Sequence, residues 1–366
     1  MAKVLKLNKG AEQCLLELLK FLLESGKVKG VFTLSKLGEN GGVAYSLITD
    51  PARLEAALPL FPLMPADAAK VLSRLTLVEP AAEPIAAVVR PCELRALTEL
   101  IKRSQGSLDN LLLISSTCGG VYPLETGVNG NISQKLPGYW EAVKKGEIAA
   151  DIRPACAACE NFTPYNADIT LAMIGHQNLD KQCQIQLNND KAEQFAEGLA
   201  VEFGQGEAKA EVIDSLREKR QARKQELLGE FGVADFDVEK VFEKCIVCRN
   251  CNKICPVCYC KVCFFDSGGD EHNQRYYENE MEKKGYATVL PAPIFYQLVR
   301  LFHVSISCIG CGLCGDVCPV DIPLWAVALK TGEAVQKAFD YLPGRDLDEG
   351  LPVTTFKPDE FAATVD

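Results

Sequence analysis

Along the first 200 residues, short apolar runs alternate with stretches of helical period. GVFTL (30–34), IAAVV (85–89) and LLLIS (111–115) read as strands, and DPARLEAAL (50–58) and CELRALTELI (92–101) as helices. Strand-length apolar runs separated by helical segments predict α/β layers with some parallel strands. Asp50-Pro51 supplies an N-cap and a proline at the first helical position, where an N–H would be unsatisfied anyway. CLLELLKFLLESG (14–26) is interrupted by Glu17, Lys20 and Glu24, so it predicts an amphipathic helix stopped by Gly26, not a membrane span.

The pattern changes after residue 200. Residues 201–240 turn to Glu, Lys, Arg and Gln with few aromatics and predict a charged helical linker, on which REKRQARK (217–224) forms a solvated face. Residues 241–330 form a second, mainly α-helical domain. Within it IFYQLVRLFHV (294–304) places Ile294, Phe295, Leu298, Leu301 and Phe302 on one helical face, with Pro291 and Pro293 setting its start. Residues 331–366, rich in Pro and Asp, are expected to be an extended C-terminal tail running over a surface or a partner.

Composition narrows the function. A net charge of −10 speaks against an extended nucleic-acid surface, and no apolar run reaches the roughly 18 to 20 residues that cross a bilayer. Seventeen cysteines without a legible export signal point to metal, in a cytoplasmic and anaerobic setting, not to a disulfide scaffold. The sequons at Asn131 and Asn161 then read as chance matches.

Eleven of the seventeen cysteines fall between 241 and 325. Cys245-x2-Cys248-x2-Cys251-x3-Cys255-Pro256 recurs as Cys308-x2-Cys311-x2-Cys314-x3-Cys318-Pro319. Three cysteines at two-residue gaps let a tight loop wrap one face of a cubane, while the fourth, ahead of proline, reaches the other cluster. The expected sets are Cys245, Cys248, Cys251 and Cys318 for one 4Fe-4S cluster and Cys308, Cys311, Cys314 and Cys255 for the other, making residues 241–330 a two-cluster ferredoxin domain. Structural zinc is the alternative, although zinc ribbons use paired Cys-x2-Cys knuckles. Gly310-Cys-Gly312-Leu-Cys-Gly315 also spells G-x-G-x-x-G, but no strand precedes it, so the glycines serve the cysteine loop.

A third site is predicted in the first domain. Cys92 follows IAAVV and Cys118 follows LLLIS; a right-handed crossover between parallel strands would bring both to carboxyl strand ends, on strands about 5 Å apart. Cys156-Ala-Ala-Cys159 offers two more thiols. The alternative is that Cys92 and Cys118 are small core residues and that Cys156 and Cys159 bind zinc or nothing.

VVRPCELRAL, LLLISSTCGGVYPL and RPACAACENFTPYNADI, in that order, resemble the β-subunits of coenzyme F420-reducing hydrogenases and related formate dehydrogenases over roughly residues 15–180. CIVCRNCNKICPVCYCKVC and FHVSISCIGCGLCGDVCPVDIPL resemble the ferredoxin extension of the formate dehydrogenase β-subunits and the helical ferredoxin module of heterodisulfide reductase-type subunits. The resemblance implies cluster ligation by Cys92, Cys118, Cys156 and Cys159, a bound FAD, and hydride exchange with a deazaflavin. GENGGVAY (38–45) is the candidate Gly-rich flavin segment, and MIGHQ (173–177) departs from the Gly-Asp that the family tends to carry there.

The expected function is electron transfer between a catalytic dehydrogenase or hydrogenase subunit and a flavin or a heterodisulfide reductase-like module. The rivals are a flavin-free iron-sulfur conduit and a zinc scaffold. No side-chain acid or base is assigned: His176, His272 and His303 read as packing or hydrogen-bonding residues. Cys14 reads as core. Cys258, Cys260 and Cys263 exceed what two cubanes need; they either hold a further metal with an outside ligand such as Cys183 or a partner residue, or shield the clusters as half-buried thiols.

Overall fold

Among the described residues, eight strands form one mixed sheet: β1 (Lys3–Leu7), β2 (Gly30–Leu37), β3 (Gly42–Ile48), β4 (Ile85–Val88), β5 (Leu111–Ser116), β6 (Ile169–Ala172), β7 (Cys183–Leu187) and β8 (Glu202–Gly204). Their order is β3-β2-β4-β5-β6-β7-β1-β8. The central run β2-β4-β5-β6 is parallel, and the remaining neighbours pair antiparallel. The computed structural model describes residues 3–355 except 39–41, 129, 131, 200–201, 205–208, 234–236, 266–271, 288–292 and 353.

The expected α/β layering is present, and side-chain alternation explains it. Ala86 and Val88 of β4 and Leu112 and Ile114 of β5 join one core with Leu15, Leu18, Leu19 and Leu22 of the Ala11–Glu24 helix. Ala87, Leu111 and Leu113 point the other way, onto Leu94, Leu97 and Leu100 of the Pro91–Lys102 helix. Strands buried on both faces need continuous apolar runs, which is how IAAVV and LLLIS read. Each fully buried leucine contributes on the order of 2 kcal/mol. The DPARLEAAL segment is a 3-10 turn over Pro51–Ala56, with Asp50 Oδ1 accepting from the Ala52 N–H at 2.9 Å.

Four expectations need correction. The Ala210–Glu230 helix is not a solvated connector: Leu216, Arg220, Lys224, Leu227 and Leu228 are buried along one stripe, and two of those five are cationic, which hides the stripe from a hydropathy reading. On the Pro293–Val304 helix the buried positions are Tyr296, Gln297, Arg300, Leu301 and Val304, whereas Phe295, Leu298 and Phe302 are exposed. Polar groups that face the cysteine loops set that helix's rotation, and apolar periodicity does not; Pro291 lies outside the described residues. The presumed tail is helical through Ala338, at the end of Leu324–Ala338. Beyond it, Gly344 N–H donates to Glu99 at 2.8 Å and Pro343 C=O accepts from Arg95 Nε at 2.8 Å. Finally, Cys14 and Cys183 form a disulfide between the first helix and β7, with Cα atoms 6.7 Å apart, so Cys183 is not a ligand for Cys258, Cys260 or Cys263.

Among the described residues no helix is long and apolar enough to cross a membrane. One contiguous set of buried side chains runs from Leu5 of β1 to Trp325 of the Leu324–Ala338 helix, so the cysteine-rich half packs directly on the sheet half.

Candidate metal centres

The parallel register of β4 and β5 builds the first centre. Val88 lies opposite Ile114, and Cys92 and Cys118 each stand four residues further on, past the carboxyl edge of the sheet. Pro91 opens the Pro91–Lys102 helix, and the Glu93 carboxylate folds back to accept from the Arg90 N–H at 2.8 Å, which fixes the turn carrying Cys92. Cys118 N–H donates to Phe162 C=O at 2.8 Å, drawing the segment after Cys159 alongside. Cys156 sits in the one-turn helix Pro154–Ala157, and Cys159 follows, its N–H donating to Cys156 C=O at 3.2 Å.

Cys92, Cys118 and Cys156 lie within electrostatic reach of one another, and Cys159 within reach of Cys156. Burial pushes Cys92 well up, with Glu93, Cys118 and Cys156 adding to the shift. Burial and Cys156 push Cys118 up to about 11. Cys159 is raised by burial, with Cys156 adding and Arg220 opposing. Arg220, which is 1% exposed, donates to the carbonyls of Gly119 at 2.9 Å, Cys118 at 3.3 Å and Cys159 at 3.4 Å. Its guanidinium therefore ties two of the three cysteine-bearing segments together.

The second candidate set gathers around one pocket. Cys255, Cys308, Cys311 and Cys314 line one small pocket of about 20 Å3, walled also by Arg300, Val304, Trp325 and Ala328. These thiols come from both sequence runs, as the exchange of the fourth ligand requires. Gly312 in this loop has φ +80°, and a Cβ there would lie 2.5 Å from that of Ala155; the G-x-G-x-x-G spelling thus serves close packing of the two halves. Arg153 carries the same junction, donating from Nε to Asp316 at 2.9 Å and from Nη1 to Cys311 C=O at 2.9 Å. Burial pushes Cys314 up to about 12 and raises Cys255, Cys308 and Cys311.

For the remaining set, Cys245 Sγ accepts from Gln297 Nε2 at 3.3 Å, Cys251 Sγ and Tyr296 Oη are 3.6 Å apart, and Cys318 Sγ accepts from the Ile322 N–H at 3.4 Å. Cys245, Cys251 and Cys318 pack on the same core, and Cys248 is exposed. Sequence reasoning missed Arg300. Its side chain is 3% exposed, its Nε and Nη1 have no hydrogen-bond partner, and its charge opposes the burial-driven rise at Cys255, Cys308 and Cys314. Nothing in the amphipathic pattern of 294–304 marks it.

A buried guanidinium without an acid partner needs an anion. Buried thiols held protonated become ligands only when a metal cation replaces the proton. A thiolate-bound iron-sulfur cluster supplies both, so donor set and charge fit such a group. Among the described residues no three His, Cys, Asp or Glu side chains are placed to hold a single metal ion. For the flavin, strand register carries the only placement: β2 is parallel to β4, so the turn after Leu37 leaves the same sheet edge that presents Cys92. Residues 39–41 of the Gly-rich segment lie outside the described residues.

No established family profile matches the chain. It is 28% identical over 372 residues to the F420-dependent formate dehydrogenase subunit beta of Methanocaldococcus jannaschii, covering 92% of each chain. It is 26% identical over 380 residues to the F420-dependent formate dehydrogenase 1 subunit beta of Methanococcus maripaludis, covering 92% of this chain and 91% of the relative. Among solved structures, a chain of the F420-reducing [NiFe] hydrogenase complex from Methanosarcina barkeri superposes with a TM-score of 0.44 at 13% identity, covering 63% of this chain and 90% of that one.

Proposed function

We propose, on the premise that this chain resembles F420-dependent formate dehydrogenase β-subunits over nine-tenths of its length, that it is the iron-sulfur electron-transfer subunit of a cytoplasmic, multisubunit oxidoreductase. The observation that carries this reading is Arg300: a buried guanidinium with two unpartnered N–H groups, among Cys251, Cys255 and Cys314. Cys92, Cys118, Cys156 and Cys159 would hold one 4Fe-4S cluster, Cys255, Cys308, Cys311 and Cys314 a second, and Cys245, Cys248, Cys251 and Cys318 a third, giving an α/β domain and a two-cluster ferredoxin domain. When bound, such clusters relay single electrons, and an FAD beside them would exchange electron pairs with a deazaflavin or another two-electron donor.

The chain's own residues give the relay its order. Cys92 and Cys311 pack on one buried cluster and Cys251 lies within electrostatic reach of Cys314, which supports a relay in which the pocket set would stand between the sheet-edge set and the set that includes the exposed Cys248. Arg153, Arg220 and Arg300, all buried beside these cysteines, would offset thiolate charge. The partner would be a formate dehydrogenase or hydrogenase catalytic subunit, with a heterodisulfide reductase-like module as a further acceptor.

The test is anaerobic affinity capture of the chain with its partners, followed by addition of formate or hydrogen. The reading expects partner-dependent bleaching of the iron-sulfur absorbance and reduction of added deazaflavin. Bleaching without bound flavin or deazaflavin reduction would favour the flavin-free conduit. A complex whose visible absorbance neither substrate alters would contradict the proposal.

A further inference from the structure

The Pro293–Val304 helix meets cysteines on one side and solvent on the other. On the inner side Gln297 Nε2 donates to Cys245 Sγ at 3.3 Å and Tyr296 Oη stands 3.6 Å from Cys251 Sγ, so both ends of the 245–251 loop lie against it. On the outer side Phe295, Leu298 and Phe302 follow one another at i, i+3 and i+7, a single helical stripe. Phe302 is 84% exposed, Phe295 56% and Leu298 45%. Ring contacts carry the stripe onto the cysteine loops: Phe295 meets Phe265 at 6.5 Å between centroids, and Phe265 meets the exposed Phe264 at 5.3 Å. Single apolar side chains at a surface are ordinary, but a run of large ones along one helix face marks a contact site.

Charge decides what covers it. Residues 244–265 carry Lys244, Arg249, Lys253 and Lys261 and no carboxylate, in a chain whose net charge is −10. Lys244, Lys253 and Lys261 are exposed. A second copy of this chain would bring the same cations to a two-fold contact, where they repel. A partner rimmed with carboxylates meets them instead. Cys248, exposed midway along the loop whose ends touch the helix, is where such a partner would find a centre to exchange with.

We propose that this face docks an acidic protein carrying a one-electron centre, with Phe295, Leu298 and Phe302 as the apolar anchor and Lys244, Lys253 and Lys261 as the rim. The inference rests on the electron-transfer reading and adds to it the surface and the charge of the partner. One electron passes per encounter: the carrier is oxidised and the centre assigned to Cys245, Cys248, Cys251 and Cys318 is reduced, or the reverse. Aromatic anchors hold the contact and exclude water, while the cations steer arrival and fix register.

The test uses the full chain purified anaerobically, with bleaching of the iron-sulfur absorbance followed by stopped flow. A reduced acidic two-cluster ferredoxin serves as the docking donor, and methyl viologen radical as a donor too small to need a docking face. The ferredoxin rate is expected to fall about tenfold or more as salt rises from about 0.05 M to about 0.5 M. Lys244→Glu/Lys253→Glu/Lys261→Glu is expected to cost about tenfold or more at low salt and to flatten that dependence. Phe295→Ser/Phe302→Ser alters exposed side chains and should fold; it is expected to slow the ferredoxin reaction at every salt concentration. In both variants the viologen rate and the iron content stay at wild-type values. Equal ferredoxin rates in the wild type and both variants would overturn the proposal. So would anionic phospholipid vesicles that sediment the wild type and neither variant, or a wild-type dimer that Phe295→Ser/Phe302→Ser converts to monomer. A wild type that viologen does not bleach would remove the electron-transfer reading, and this inference with it.

Discussion

The sheet-edge cysteines and the helical cysteine loops arrive at the same kind of donor set by opposite routes. Cys92, Cys118 and the Cys156/Cys159 pair come from three stretches that only the parallel register of β4 and β5, with the Cys118–Phe162 hydrogen bond, brings to one edge. The loop cysteines bring their own spacing, and tertiary structure adds the exchange that sets Cys255 beside Cys308, Cys311 and Cys314. On the proposed ligand sets, the first centre is therefore held by the sheet. The second and third are held by short loops and depend on whatever braces those loops. Arginine is the shared device: Arg220 braces the sheet edge, Arg153 the seam between the two regions, and Arg300 stands buried with unpartnered N–H groups among the loop cysteines.

The largest effects would come from the ligands. Cys314→Ser is expected to remove about four of about twelve iron atoms and to leave the sheet-edge centre reducible, and Cys118→Ser to do the reverse. Iron content and low-temperature EPR of the two variants check this. If either substitution empties all centres, the two regions are not independent.

Next comes the chain stripped of metal. Cys118, pushed up to about 11, and Cys314, pushed up to about 12, stay protonated in the folded protein where an unfolded cysteine near 9.0 has ionised. Their contribution to stability is full below pH 9 and drains away as pH rises toward 11 to 12. Denaturant midpoints of the chelated, reduced chain should fall across that window; a flat or rising profile would mean that these thiols are not held in a dry site.

A backbone change between the two regions should cost less. Gly344 has φ +72°, and a Cβ there would lie 2.3 Å from the Arg95 carbonyl oxygen, while Arg95 itself donates to Ile309 C=O at 3.2 Å. Gly344→Ala is expected to destabilise by about 1–3 kcal/mol, visible as a lower Tm with iron content retained. The smallest effect is electrostatic. Arg300→Gln should make the nearest loop centre harder to reduce, by on the order of 50 mV, and Arg300→Lys should recover part of the shift. Arg220→Gln should do the same at the sheet edge alone, so potentiometric EPR of the pair tells whether each arginine serves its own centre.

How much of this was legible depended on whether the signal was local. Both Cys-Pro-terminated runs are patterns in consecutive residues, and the alternating layers follow from IAAVV and LLLIS because doubly buried strands must be apolar throughout. The rotation of the Pro293–Val304 helix was not legible. Tyr296, Gln297 and Arg300 turn inward toward sulfur while Phe295, Leu298 and Phe302 face outward, so the hydrophobic period points to the wrong face. For the same reason REKRQARK looked solvated: Arg220 and Lys224 are buried because carbonyls and carboxylates receive them, with Glu333 accepting from Lys224 at 2.8 Å. Buried cations are the part of such a site that a hydropathy reading assigns to water. The Cys14–Cys183 disulfide was hidden by separation, since its partners meet only when the first helix crosses β7.

The most direct test of the account is potentiometric EPR, with iron and sulfide counts, on the anaerobically purified chain and its Arg300→Gln variant. The account predicts about twelve iron and twelve sulfide in three reducible cubane centres, with the variant's shift confined to the loop centres. Zinc at those positions, or iron signals indifferent to Arg300, would contradict it.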